Sequence, residues 1–195
     1  MNRLQAQVQH HLDGGVAQRL QHPAAITRAE QGMQETRIRL AEPTDAALIL
    51  EMIQALATFE QERDKVVATL DDIRREGFGT NPAFECLIAE SDGQPAGFAL
   101  FFHNYSTWTG RRGIYLEDLF VHDWARGRGV GEALLRSLAG LALERGCARL
   151  DLWVLHWNPA RGFYERLGIT HMQDWLPYRC RGAALERLAN TTPKP

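Results

Sequence analysis

Three groups of residues in this 195-residue chain have the types and spacing to do chemistry. Arg126, Gly127, Arg128, Gly129, Val130 and Gly131 follow an apolar run over residues 114–121 and open an amphipathic stretch. A strand, a turn of arginines and glycines and then a helix make an anion site. The glycines reach backbone conformations closed to other residues and turn successive N–H groups toward one point, while the helix N-terminus adds partial positive charge. A pyrophosphate fits such a site. Glu117 and Asp118 form the second group, adjacent carboxylates inside the apolar run, where charge is costly unless partnered or useful. In a regular strand they face opposite sides, so they can serve one site only across a bulge. Tyr164 is the third, a phenol that is a neutral donor at pH 7. Each group also has a plain reading: glycines that punctuate a turn, edge carboxylates in ordinary ion pairs, and a Phe163-Tyr164 pair packed in a core.

Composition narrows the field. With 45% hydrophobic and 24% charged residues, the chain suits one globular domain with a sizeable core. Its 22 basic and 24 acidic residues give a net charge of -2, so there is no broad basic field of the kind a nucleic-acid binder uses, and any anion site must be local. No apolar stretch approaches the ~20 residues needed to cross a bilayer, and no secretory signal is visible, so no membrane partner and a cytoplasmic location are expected. Cys86, Cys147 and Cys180 lack any C-x-x-C pair and the seven histidines are scattered, which argues against a disulfide framework and against a bound metal.

These residues need elements to hold them. Residues 1–35, rich in Gln, Ala and His and interrupted by Gly14, Gly15 and Pro23, read as a mobile extension. The domain is expected over 36–189 with a tail over 190–195. Residues 36–40 alternate as a half-buried strand does. Thr44 is expected to cap a helix running to Phe59, and a second helix follows Thr69. Two apolar runs flank Ser91-Asp92-Gly93-Gln94 as a hairpin, and residues 114–121 add a third strand. The glycine turn opens a helix to about Arg145 with Gly146 beyond its end. A strand over 150–155, a short helix from Pro159 carrying Tyr164, a strand pair around 170–180 and a terminal helix complete the order. The class is α/β, a mixed, mostly antiparallel sheet flanked by helices.

The turn R-G-R-G-V-G, the strand Y-L-E-D-L-F-V at 115–121 and the segment A-R-G-F-Y-E-R-L-G at 160–168 resemble those of the GNAT acetyltransferases. Within that superfamily, L-A-T-F-E at 56–60 and E-G-F-G at 76–79 are most similar to the diamine (spermidine/spermine) and thialysine acetyltransferases. The resemblance runs from Arg37 to Leu188. It implies a GNAT-like acyltransferase fold, acetyl-CoA as co-substrate, transfer of acetyl to a primary amine of a small cationic substrate, and a homodimer. It implies that Leu119, Phe120 and Val121 pair with the pantetheine arm, residues 126–131 hold the pyrophosphate, and Asn158 touches CoA. Tyr164 would protonate the departing thiolate, and Glu117 would take the amine's proton through water across a splayed strand. Glu60, Asp118, Trp108 and Trp175 would line the substrate site. The chain departs from the family in carrying Phe59-Glu60 where a Tyr-Glu pair is usual, in having one residue fewer between Asn158 and Tyr164, and around Pro177.

Other readings compete. A dinucleotide-binding turn would need a third glycine where Glu132 stands, and a phosphate-binding P-loop would need G-K-[ST]. A protein or peptide acetyltransferase and a non-catalytic acyl-CoA-binding regulator both remain compatible with the motifs.

Overall fold

A computed structural model describes residues 36–191; the expected N-terminal extension and most of the expected tail lie outside the described residues. Five strands form one sheet in the order β1-β2-β3-β4-β5: β1 Thr36–Leu40, β2 Glu85–Ser91, β3 Gln94–Ser106, β4 Arg111–Val121 and β5 Leu150–Leu152. The first four are antiparallel and β5 runs parallel to β4.

Local chemistry fixes the order. Asp92 and Gly93 both have positive φ, 53° and 74°, which makes the two-residue turn whose twist suits a hairpin and sets Ser91 opposite Gln94. The helix α1, Ala46–Phe59, buries Ala46, Ile49 and Met52 at helical spacing against one sheet face, with α2, Leu70–Phe78, beside it. The helix α3, Val130–Glu144, buries Val130, Leu134, Leu135, Leu138 and Ala142 against the other face. The short α4, Arg161–Arg166, packs Phe163 and Tyr164 against that second core. Arg39 clamps β1 to the start of α1 by donating two hydrogen bonds to Asp45 and one to Glu90, and its guanidinium holds the Asp45 carboxyl below the usual range.

Three sequence expectations are corrected. Thr44 does not cap α1; it lies in a 3-10 turn, Pro43–Asp45, where Glu42 and Asp45 form a reciprocal capping box of their own. The strand expected over 150–155 ends at Leu152, because its partner β4 bends at that point. Residues 170–180 form no strand: β5, the end strand, is only three residues long and offers too short an outer edge to pair a further hairpin, and the segment lies exposed before α5, Ala183–Asn190.

Candidate active site

The bend in β4 is a β-bulge. Leu100 of β3 faces Asp118 while the next residue, Phe101, faces Leu116, so Glu117 is the extra residue. A bulge breaks the alternation of a strand. Leu116 points into the α3 side and Phe120 into the α1 side, and Asp118, opposite Leu100, belongs to the α1 side as well. Glu117 is exposed and Asp118 half-buried. Burial pushes the Asp118 carboxyl up to about 7, helped by the neighbouring charges of Glu117 and Glu60. Glu60 follows the last turn of α1 and is itself raised by burial and by Glu62. Three carboxylates thus share one locality, and the innermost resists ionising.

The bulge also opens the sheet. Pairing between β4 and β5 covers Ile114, Tyr115 and Leu116 and stops there, so Leu119, Phe120 and Val121 pair with β3 on one side only among the described residues. The Val121 carbonyl accepts a hydrogen bond from Arg126 Nε at 3.0 Å. Arg126 is held there by Asp123, 2.7 Å away, and by the Phe59 ring, 4.8 Å below its guanidinium.

Beyond this edge the turn has the backbone that its glycines predict. Gly127 and Gly129 take φ of 73° and 82°, the left-handed region that favours glycine, and a Cβ on either would meet nothing within 4 Å. Gly129 begins α3 without a side-chain cap, so the first N–H groups of the helix are served by no capping side chain. Gly131 is tighter, since a Cβ there would lie 3.4 Å from the Phe163 ring. The backbone along one side of the turn is therefore open to approach by a diphosphate.

Tyr164 sits on α4, half-buried, its ring 5.3 Å from that of Phe163. Burial and Glu60 push its hydroxyl up to about 12, so it holds its proton at neutral pH. Glu60 acts electrostatically on both the Tyr164 hydroxyl and the Asp118 carboxyl, so its charge reaches each of them. Asn158 turns inward on its own loop, its Oδ1 accepting from the Ala160 N–H at 2.9 Å. Trp108 and Trp175 meet each other edge to face, centroids 6.3 Å apart, and are 88% and 64% exposed.

Residues 49–169 match the acetyltransferase (GNAT) family. The chain belongs to that family. The thialysine N-epsilon-acetyltransferase of Mus musculus is 40% identical over 169 residues, covering 80% of this chain and 99% of the mouse protein. The spermidine/spermine N(1)-acetyltransferase-like protein 1 of Homo sapiens is 37% identical over 76% of this chain, but that match takes up 24% of the human protein. An integron cassette protein of V. cholerae of known structure superposes with a TM-score of 0.69 at 25% identity, covering 82% of this chain and 100% of that one. This GNAT chain is an N-acetyltransferase that transfers acetyl to an amine, and the family's co-substrate is acetyl-CoA.

Sequence reading missed two features of this site. The side chain of Arg126 on the open edge of β4 was hidden because the motif draws attention to backbone. An aromatic group, Phe102, Tyr115 and Trp153, was hidden because its members lie on three strands or their ends. Phe102 stacks on Tyr115 at 5.1 Å and Trp153 meets Tyr115 edge-on at 6.0 Å. Register could have found the first pair, since Phe102 and Tyr115 are direct partners.

Proposed function

We propose that this enzyme moves acetyl from acetyl-CoA to a primary amine of a small substrate that carries a second cation, a diamine, polyamine or thialysine-like compound. The observation that carries this reading is the acidic locality of Glu60, Glu117 and Asp118 in a chain whose net charge is only -2. The similarity to enzymes named for thialysine and for spermidine and spermine supports it.

Acetyl-CoA supplies the acetyl thioester. Leu119, Phe120 and Val121 offer its pantetheine amides an unpaired strand edge once Arg126 releases Val121. Backbone groups of Arg126, Gly127, Arg128, Gly129, Val130 and Gly131 hold the pyrophosphate at the start of α3, and Asn158 shapes the loop beside them. A substrate amine near the lysine value, about 10.4, arrives protonated and must lose its proton before attack. Glu117, exposed on the bulge, receives that proton through water, while Glu60 adds negative charge nearby and Asp118, which holds its proton up to about pH 7, ionises as a cation settles beside it. Trp108 and Trp175, which meet at the β3–β4 turn, are proposed to bound the substrate path at its far end from the bulge. Tyr164 keeps its proton at Oη and presents it to the sulfur as charge develops there; complete transfer to a thiolate of ordinary pKa, about 8.5, runs uphill from about 12, so the phenol acts chiefly through the hydrogen bond.

The catalytic unit is residues 36–189, with residues 1–35 dispensable. The exposed Leu185 and Leu188 of α5 favour a homodimer that covers them. The three free cysteines, one of them exposed, suit the reducing cytoplasm. The deciding experiment is thiol release from acetyl-CoA with a matched diamine and monoamine of equal length. A diamine preferred in kcat/KM, with a gap that narrows as salt rises, is expected; equal values would favour a peptide acceptor.

A further inference from the structure

Phe102, Tyr115 and Trp153 form a three-ring cluster on the sheet beside the bulge. The cluster is partly open: Phe102 and Tyr115 are half-buried and Trp153 is 55% exposed. Tyr115 lies two residues before Glu117 on β4, and two observations tie it to charge. The Tyr115 hydroxyl is pushed up to about 12 by burial first and by Glu117 next, and it feels the opposing pull of Arg179. Arg179 itself, from the irregular segment before α5, places its guanidinium 5.5 Å from the centroid of the Trp153 ring. It makes no ion pair among the described residues, in a chain with 24 carboxylates. A cation resting on an aromatic face without an ion-pair partner among the described residues shows that this face takes positive charge.

We propose that Phe102, Tyr115 and Trp153, with Glu117 at their inner rim, form a cation subsite for the non-reacting ammonium of the substrate, and that Arg179 fills this subsite until substrate displaces it. The inference rests on the cationic-amine reading above and adds to it a location and an internal competitor. An extended diamine with its reacting nitrogen at Glu117 directs its far end along β4 toward Tyr115 and Trp153. The aromatic faces attract the ammonium through their quadrupoles and tolerate its alkyl chain, which a purely carboxylate pocket would not favour. Arg179 offers the same chemistry from within the chain, so every cationic tail must compete with it. The segment over 170–182 is then a strap whose lifting accompanies substrate entry.

The test needs a readout that does not depend on turnover. The probe is 1,6-bis(trimethylammonio)hexane, a dication without an acetylatable nitrogen, titrated calorimetrically into the full chain. Binding is expected in the wild type. Trp153→Leu is expected to weaken it about three- to tenfold, the range of a partly exposed cation–π contact, and Trp153→Phe to restore most of the loss. Arg179→Gln is expected to tighten binding about threefold or more by removing the competitor. Circular dichroism confirms that each variant is folded, which the exposure of both positions favours. The same variants are then assayed with the matched diamine and monoamine, where Trp153→Leu should shrink the diamine preference through KM. Absence of probe binding, or equal affinity in wild type, Trp153→Leu and Arg179→Gln, overturns the subsite even if the enzyme prefers diamines. Probe binding that follows this order in an enzyme without diamine preference keeps the subsite and overturns the proposed substrate instead.

Discussion

Asp118 is the residue whose environment asks most of it. In the folded protein it keeps its proton up to about pH 7, whereas an unfolded aspartate releases it near 3.9. Between those values the folded state holds the extra proton, so raising the pH through this window costs stability. Asp118→Asn removes that slope. The variant should gain on the wild type by about 2 kcal/mol or more between pH 5 and pH 8, read from urea midpoints at both values; an equal difference at the two pH values would show that Asp118 is not the source. Tyr164 gives the sharpest kinetic prediction. Tyr164→Phe removes one hydroxyl, and turnover should fall about 10²-fold or more with acetyl-CoA affinity nearly unchanged. Single-turnover measurements separate that loss from product release. Glu117→Gln should slow the chemical step, while Glu60→Gln should lower only the preference for a dication, which the matched diamine and monoamine pair resolves.

At the scale of elements, the bulge in β4 and the turn before α3 carry the proposed site. A valine at position 129 would have to adopt φ of 82° and would place its side chain on the open side of the turn. Gly129→Val should therefore lower acetyl-CoA affinity at least tenfold by calorimetry, and unchanged affinity in a folded variant would move the pyrophosphate elsewhere. Much of this was legible beforehand because it depends on local chemistry. Asp92-Gly93 specifies its hairpin, Leu134 and Leu138 specify a helical stripe, and Thr69 caps α2 with Asp72 as its reciprocal partner. What could not be read depends on residues distant in sequence. Thr44 has the residue type of a cap, but Pro43 and the partnership of Glu42 with Asp45 start a 3-10 turn there instead, and that partnership is anchored by Arg39 on β1. The strands expected near 170–180 need an edge that β5 does not extend to give them. The bulge is intermediate: adjacent carboxylates in an apolar strand hinted at it, but only the pairing of Leu100 and Phe101 shows where the extra residue goes.

For the whole molecule, a chain beginning at Met33 should keep its solubility and nearly all its activity if residues 1–35 stand apart from catalysis; loss of most activity would make the extension a working part. Sedimentation should report twice the monomer mass, with Leu185→Glu and Leu188→Glu together shifting it toward monomer. The half-open edge of β4 has a cost unrelated to turnover. Unpaired strand edges are templates on which a second chain can add, the usual start of edge-to-edge aggregation. Here the edge is only a few residues long, is bent away from its neighbour by the bulge, and has its last carbonyl covered by Arg126. In the proposed mode of binding, the arginine that yields to pantetheine therefore also guards the edge against other copies of the chain. Shelf life should accordingly track co-substrate: Arg126→Ala should scatter light sooner on mild heating than the wild type, and saturating CoA should bring the two together by filling the edge that the variant leaves bare.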